Sequence, residues 1–103
     1  MEPPDFSFVI PTYNRAEMVK ELLKNLRFLQ IPNGVKWEII VVDNNSTDAT
    51  RAVTEEFMQD PALPLRYRFE AQQGAAHTRN NGVLAARGKI LAFIDDDETM
   101  DAE

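Results

Sequence analysis

The densest group of side chains that could do chemistry is the acidic run Asp95-Asp96-Asp97-Glu98. Adjacent carboxylates repel one another, so they are costly unless a cation or hydrogen-bond donors neutralise them. Carboxylate oxygens suit Mg²⁺ or Mn²⁺, which are typically held by one or two carboxylates together with phosphate oxygens. Asp95 and Asp97 project to the same side if the preceding strand continues, and Asp96 projects to the other. A metal site and a solvated acidic loop both remain open.

A second group with chemical potential is the segment Pro11-Thr12-Tyr13-Asn14-Arg15. The ring of Tyr13 could stack on a nucleobase, and the guanidinium of Arg15 could bind phosphate. The alternative is a capped helix start with an exposed arginine. Nothing in the segment alone decides between the two interpretations.

Four further polar residues lie at the ends of predicted strands or helices. Asp43 could accept a hydrogen bond from a nucleobase or a sugar hydroxyl, although on its own a turn acceptor is the favoured interpretation. Ser46 and Asp48 are interpreted as helix caps. Arg79 falls in the first turn of a predicted helix, where a cation opposes the helix dipole. This indicates an anionic or acceptor partner, and a salt bridge is the alternative.

These residues are positioned by a regular alternation of strands and helices. Runs of apolar residues predict strands over 6–10, 37–42, 65–69 and 89–94. Helical spacing predicts helices over 15–29, 47–58 and 76–86. Pro11 is expected to stop the first strand, Asn14 with Glu17 to cap the first helix, and Gly88 to end the third helix in a left-handed conformation.

Alternation of this kind predicts an α/β protein with three layers, α/β/α, around a mostly parallel sheet. In such sheets ligands bind beyond the carboxyl ends of the strands. The polar clusters at 11–15, 43–48 and 95–98 each follow a predicted strand, so we expect them to share one edge. The glycines are too far apart for a Gly-rich phosphate loop of either common type.

Composition sets further limits on the function. The chain has 103 residues, of which 44% are hydrophobic and 27% charged, which is typical of one globular domain. Its net charge of -6 argues against nucleic acid as a partner. Without cysteine the chain forms neither disulfides nor thiolate metal sites. No signal peptide or membrane-spanning run is evident, so a cytoplasmic location is expected.

Four motifs in the chain resemble those of the family 2 glycosyltransferases. They are FVIPTYNR at 8–15, EIIVVDNNSTD at 38–48, GxxxTRNxG at 74–82 and LAFIDDD at 91–97. The motifs cover nearly the whole chain in the family's order. The resemblance implies a GT-A fold, Rossmann-like in its nucleotide-binding half. It also implies metal-dependent, inverting transfer from a nucleotide-diphospho-sugar, with UDP expected, to a hydroxyl of a saccharide, lipid or protein.

The resemblance also implies roles for particular residues. Pro11, Thr12, Tyr13 and Arg15 would line the nucleotide pocket. Asp43 would bind the base, and Arg79 would reach the nucleotide. Asp95 and Asp96 would contact the nucleotide, and Asp95 with Asp97 would hold Mn²⁺ or Mg²⁺. The chain departs from the usual motifs at Glu98, where many members have Asp, and at Asn45, where the usual residue is Gly.

By the same resemblance the catalytic base and the acceptor-binding elements follow the acidic run. We therefore expect residues 1–103 to be a single donor-binding domain of a longer enzyme, without the acceptor-binding part and without efficient transfer. Truncation should expose apolar sheet surface and favour a homo-oligomer. The whole protein would lie in the cytoplasm or at the inner face of a membrane.

Two alternatives come from other functional classes. The pattern of Ile94, Asp95, Asp97 and Thr99 also fits haloacid-dehalogenase-like phosphatases, in which Asp95 would be the nucleophile and Asp97 an acid or base. That motif should open a domain, and it leaves the three earlier motifs unexplained. The other alternative is a non-catalytic nucleotide-binding module.

Overall fold

A computed structural model of the protein describes residues 3–94. The acidic run lies outside this part, so the roles given to Asp95, Asp96 and Asp97 stay predictions. Within residues 3–94 the expected alternation of four strands and three helices is confirmed. The elements are β1 (Phe6–Thr12), α1 (Ala16–Arg27), β2 (Trp37–Asp43), α2 (Thr50–Phe57), β3 (Leu65–Phe69), α3 (Ala75–Ala85) and β4 (Ile90–Phe93).

The four strands form one sheet in the order β3-β2-β1-β4. Every neighbouring pair is parallel, and Thr12 at the end of β1 lies opposite Asp43 at the end of β2. Each connection between parallel strands needs a crossover, which the helices supply. The carboxyl ends of β1 and β2 therefore meet at one edge of the sheet, as the sequence predicts.

Helices cover both faces of the sheet, which confirms the three-layer α/β/α prediction. Alternate residues of a strand face opposite sides. Ile39 and Val41 of β2 accordingly belong to the core that includes α1 and Phe57 of α2. Ile40 and Val42 pack on the other side with Val9 and the end of α3. Since β2 is covered on both faces, its nearly continuous apolar sequence is explained.

Helix α1 anchors the larger of the two cores. Val19, Leu22, Leu23 and Leu26 are all at most 1% exposed. Burying each leucine stabilises the fold by about 1.5–3 kcal/mol relative to leaving it in water. The helix ends at Arg27, two residues earlier than predicted, and the following Phe28 is exposed.

The prediction that Pro11 stops β1 is wrong. Pro11 lies inside the strand and pairs with Val42 of β2. The carbonyl of Val9 accepts the N–H of Ile94, and the carbonyl of Thr12 accepts the N–H of Asn44. Because alternate residues of a parallel strand bond to opposite neighbours, Pro11 faces the β4 side. Within residues 3–94, the pairing of β1 with β4 ends at Val9, so the missing N–H of Pro11 costs no bond in the described ladder.

The expected left-handed conformation of Gly88 is also not found. Within residues 3–94, Gly34 and Gly74 are the glycines with positive φ. Gly88 is instead required by close packing. A Cβ at this position would lie 2.7 Å from the carbonyl carbon of Phe6 and 2.5 Å from the hydroxyl oxygen of Ser7. The N–H of Gly88 donates to that hydroxyl at 2.8 Å.

The β4 edge of the sheet carries large apolar side chains. Ile90 and Phe93 of β4 are 55% and 44% exposed. Exposed apolar surface of this kind favours association. The predicted homo-oligomer stays a prediction. No helix in residues 3–94 is both long and apolar enough to cross a membrane.

Candidate functional site

A pocket of about 450 Å³ opens at the carboxyl end of β1 and β2. Three segments of the chain form its walls: the end of β1 with the loop to α1, the residue after β2, and the start of α3. This is the edge at which ligands bind in parallel α/β sheets. The lining residues are Pro11, Thr12, Tyr13, Arg15, Asn44, Gln73, Gly74, Ala75, Thr78 and Arg79.

Five of the predicted site residues meet in this pocket. Pro11, Thr12, Tyr13 and Arg15 come from one segment, and Arg79 comes from α3. Thr12 is buried, whereas the ring of Tyr13 is 49% exposed and accessible to a ligand. The pocket thus combines an aromatic ring with two guanidinium groups in a chain whose net charge is -6.

Arg79 lies somewhat deeper in its helix than predicted. Because α3 begins at Ala75, Arg79 is in the second turn, where the helix dipole opposes a cation less strongly than in the first. Its guanidinium lies over the ring of Phe93 in β4, 6.0 Å from the ring centre. This cation–π contact directs Arg79 along the β4 side of the pocket.

The predicted capping pair of Asn14 and Glu17 is wrong. Helix α1 begins after Arg15, whose own side chain makes no capping hydrogen bond. Asn14 has φ of 50°, and its Oδ1 accepts the N–H groups of Thr47 at 2.7 Å and Asp48 at 3.3 Å. The bonds that Asn14 makes to the β2–α2 loop therefore replace the local capping interaction. They hold the segment containing Tyr13 and Arg15 against that loop.

Asp48 supports the starts of two helices at once. Its Oδ1 accepts the N–H of Thr50 at 2.9 Å, and its Oδ2 accepts the N–H of Ala16 at 3.2 Å. Burial raises the pKa of Asp48, but the hydrogen bonds from Thr50 and Ala16 outweigh it, and the pKa is lowered. The capping interpretation of Asp48 is thus broadly confirmed. Ser46 was wrongly interpreted as a cap, because its hydroxyl accepts the N–H of Asn14 at 2.8 Å.

Asp43 is close to the pocket but is not among its lining residues. It is 2% exposed, and its Oδ1 accepts the N–H of Ser46 at 3.0 Å, as the turn interpretation predicted. Its Oδ2 accepts the hydroxyl proton of Tyr67 at 2.7 Å. Burial and this hydrogen bond raise the pKa of Tyr67, so the phenol remains a donor at neutral pH. Contact between Asp43 and a base stays a prediction.

Half of the residues that line the pocket were not predicted from the sequence. Asn44 is 6% exposed and makes several hydrogen bonds across the loops, and Gln73, Gly74, Ala75 and Thr78 form the α3 wall. Gly74 and Thr78 belong to the GxxxTRNxG motif, which was the available signal. Asn44 belongs to the EIIVVDNNSTD motif, but no role was given to it, because an asparagine after a strand is an ordinary turn residue.

The metal prediction depends on residues outside the described part. No group of three His, Cys, Asp or Glu residues in residues 3–94 could hold a metal ion. Strand β4 runs parallel to β1 and ends at Phe93, so the chain leaves β4 towards the edge that holds the pocket. The acidic run follows Ile94 directly in the sequence, and the metal site predicted there stays a prediction.

Comparison with known proteins decides the family. The model of the family described as glycosyl transferase family 2 matches residues 7–103. The chain belongs to this family. The match includes the acidic run together with the three earlier motifs. The phosphatase alternative leaves those three motifs unexplained.

Similar proteins include several glycosyltransferases of bacteria and archaea. Glycosyltransferase AglE of Haloferax volcanii is 37% identical over 95 residues, which cover 91% of this chain and 31% of that protein. Poly(ribitol-phosphate) beta-N-acetylglucosaminyltransferase TarS of Staphylococcus aureus is 31% identical over 98 residues, covering 95% of this chain and 17% of that protein. The chain thus spans less than a third of the length of either relative.

Solved structures of similar glycosyltransferases share the fold. The mannosyltransferase PcManGT of Pyrobaculum calidifontis, in complex with GDP-Man and Mn²⁺, matches with a TM-score of 0.87 and 32% identity. The match covers 99% of this chain and 30% of that one. Residues 1–349 of S. aureus TarS, in complex with UDP-GlcNAc, match with a TM-score of 0.78 and 30% identity, covering 96% of this chain and 27% of that one. The predicted GT-A fold is confirmed.

Proposed function

We propose that the pocket binds the nucleoside diphosphate of a sugar donor, expected to be a UDP-sugar. The chain would then be the donor-binding part of a family 2 glycosyltransferase. The observation that carries this proposal is the convergence of Tyr13, Arg15 and Arg79 in one pocket at the carboxyl edge of the sheet. An aromatic ring suits a base, and guanidinium groups suit a diphosphate. The donor complexes of PcManGT and TarS support the same assignment.

The proposed reaction is inverting transfer to a hydroxyl group. The acceptor oxygen forms a bond to the anomeric carbon from the side opposite the diphosphate, and the bond from that carbon to the diphosphate oxygen breaks. The departing diphosphate keeps the electron pair, and a base takes the hydroxyl proton. The guanidinium groups of Arg15 and Arg79 would stabilise the negative charge of the diphosphate. By the resemblance to the family, the base would follow the acidic run.

A divalent cation, Mn²⁺ or Mg²⁺, is part of the proposal. Asp95 and Asp97 would hold it, and it would act as a Lewis acid on the departing diphosphate. The described walls of the pocket supply guanidinium groups and an aromatic ring, whereas a metal needs carboxylates. Those carboxylates would come from the acidic run.

The test is calorimetric titration of UDP into the full-length protein that contains this chain, in Mn²⁺ and then in EDTA, with GDP as the competing nucleotide. We expect UDP binding that depends on the metal. Replacing Arg79→Gln should weaken it by about tenfold or more, because charge-assisted hydrogen bonds are lost.

A matched control is Arg68→Gln. Arg68 is exposed on β3 and donates to Asn81 at 3.0 Å, and it does not line the pocket. This variant should bind UDP within about twofold of the wild type. Failure of the folded wild-type protein to bind either nucleotide would contradict the proposal.

A further inference from the structure

Asn44 is the residue at which the three segments of the pocket are joined. It follows β2 directly and is 6% exposed. Its Nδ2 donates to the carbonyl of Glu70 at 3.2 Å and to that of Gln72 at 2.7 Å. Its Oδ1 accepts the N–H of Gly74 at 2.9 Å. One side-chain amide thereby fixes the loop that leads from β3 into α3.

The main chain of Asn44 completes the junction. Its N–H donates to the carbonyl of Thr12 at 2.8 Å, which ties it to the end of β1. Its carbonyl accepts a hydrogen bond from Nε2 of Gln73 at 2.7 Å. Thr12 and Gln73 both line the pocket, and so does Asn44 itself. Asn44 therefore contacts each wall directly.

The bond to Gly74 matters because Gly74 is the N-cap residue of α3. Gly74 has φ of 136°, a backbone conformation that residues other than glycine rarely adopt. Its carbonyl accepts both the N–H of Thr78, at 3.1 Å, and the hydroxyl of Thr78, at 2.9 Å. Thr78 is buried and is followed by Arg79, which reaches the pocket. A continuous series of hydrogen bonds thus runs from Asn44 to the residue that precedes Arg79.

We propose that Asn44 is a positioning residue for the nucleotide: through Gly74 it holds the α3 wall, and with it Arg79, in the geometry that binds the diphosphate. This proposal rests on the proposed function of the pocket. Its physical basis is preorganisation, since a wall that is already ordered loses less conformational entropy when the ligand binds. A loop freed from Asn44 would have to be ordered by the nucleotide itself.

The test is a double-mutant cycle on UDP affinity in the full-length protein with Mn²⁺, using Asn44→Ala, Arg79→Gln and the double variant. We expect Asn44→Ala to weaken binding by about tenfold, because buried hydrogen-bonding groups lose their partner and the wall is released. Adding Asn44→Ala to Arg79→Gln should weaken binding by less than about twofold further, because the misplaced guanidinium is already gone. Additive losses would overturn the proposal.

Asn81→Ala is the matched control. Asn81 also ties this loop, donating to the carbonyl of Phe69 at 3.1 Å and to the carboxylate of Glu70 at 3.0 Å. It does not line the pocket. We expect this variant to bind UDP within about twofold of the wild type. An equal loss of affinity in Asn81→Ala would mean that general loosening of the loop is enough, and would also overturn the proposal.

Amide hydrogen exchange in the ligand-free protein supplies a readout that is independent of binding. The Gly74 N–H should be protected in the wild type and lose protection selectively in Asn44→Ala, and unchanged protection would overturn the proposal. If Asn44→Ala does not fold, Asn44→Ser replaces it in both measurements. If the wild type binds neither UDP nor GDP, the proposed function fails and this proposal fails with it. If the wild type binds but the cycle is additive, only this proposal fails.

Discussion

Strand β2 carries a buried carboxylate near each end, and the two differ in their hydrogen-bond partners. Glu38 at the amino end is 6% exposed, and Asp43 at the carboxyl end is 2% exposed. Glu38 accepts hydrogen bonds from the hydroxyl of Ser7 at 2.5 Å, the N–H of Arg87 at 2.7 Å and the guanidinium of Arg66 at 2.9 Å. Among the described residues Asp43 accepts from the N–H of Ser46 and the hydroxyl of Tyr67.

The difference separates a stabilising end of the sheet from a functional end. Burial raises the pKa of Glu38, but the hydrogen bonds from Ser7, Arg87 and Arg66 outweigh it, and the pKa is lowered. Such a network fastens β1, β2, β3 and the segment before β4 together. At the carboxyl end, asparagine and aspartate side chains bind mainly backbone groups of neighbouring loops, and these bonds shape a pocket that stays open. No buried side-chain polar atom in residues 3–94 lacks a partner.

The largest change in unfolding free energy should come from removing the carboxylate of Glu38 near the amino end of β2. Glu38→Ala leaves the hydroxyl of Ser7, the N–H of Arg87 and the guanidinium of Arg66 without their shared acceptor. The Arg66–Glu38 pair is partly buried. Each buried donor that loses its acceptor costs about 1–3 kcal/mol, so we expect a loss of about 3 kcal/mol of unfolding free energy. Urea denaturation of the variant and the wild type measures the loss.

Glu55→Ala is the control for Glu38→Ala. Glu55 pairs with Arg51 at 3.1 Å on the surface, where the two side chains are 55% and 65% exposed. Removing an exposed pair changes stability by less than about 1 kcal/mol. If the two variants are equally stable, the amino end is not the stabilising end.

The next largest effect should come from Gly88→Ala. The new methyl group would lie 2.7 Å from the backbone nitrogen of Ser7 and would push apart the strands that the Glu38 network joins. Overpacking of this kind costs about 1–3 kcal/mol. Thermal unfolding should show a lower midpoint, while UDP affinity of the folded variant should change little because Gly88 is at the opposite end of β4 from the pocket. A midpoint equal to that of the wild type would contradict the close packing.

A smaller loss of unfolding free energy is expected from Tyr67→Phe, which affects the carboxylate at the carboxyl end of β2. This change deletes only the hydroxyl that donates to Asp43 at 2.7 Å. Losing one hydrogen bond to a buried carboxylate costs about 1–3 kcal/mol, and the partly buried position of Tyr67 favours the lower figure. Tyr13→Phe is the matched control, because Tyr13 is half-exposed and its change should leave urea stability unaltered. Equal stability of Tyr67→Phe and the wild type would show that Asp43 does not depend on Tyr67.

The smallest change in unfolding free energy should come from lowering the pH of the wild-type protein. Because the folded-state pKa of Glu38 lies below its ordinary value, its contribution to stability is complete above that ordinary value and is lost as the pH falls through the folded-state pKa. Unfolding free energies measured from neutral pH downwards should therefore decrease in the acid range. Asp48, Asp60 and Glu70 have lowered pKa values as well and contribute in the same direction. Glu38→Gln should make the decrease shallower, and an unchanged slope would contradict the assignment.

Much of the fold follows from local patterns. The continuous apolar run of β2 and the helical spacing of Val19, Leu22, Leu23 and Leu26 predicted buried elements, and these are the residues of the cores. The errors concern residues whose partners are distant in sequence. Asn14 was assigned to its own helix, but its partners Thr47 and Asp48 are more than thirty residues away.

The amino-acid sequence by itself determined the order of elements, the three-layer arrangement and the edge of the sheet at which the polar clusters at 11–15 and 43–48 meet. Periodicity and parallel pairing are enough for these features, because they depend on which face of each element is apolar. Only the tertiary structure decided that Asn44 joins the three walls of the pocket and that the Glu38 carboxylate accepts hydrogen bonds from three donor groups. Gly88 likewise packs on Ser7 instead of ending a helix. The physical reason is that hydrogen bonds and steric contacts between distant segments exist only after the strands are in register.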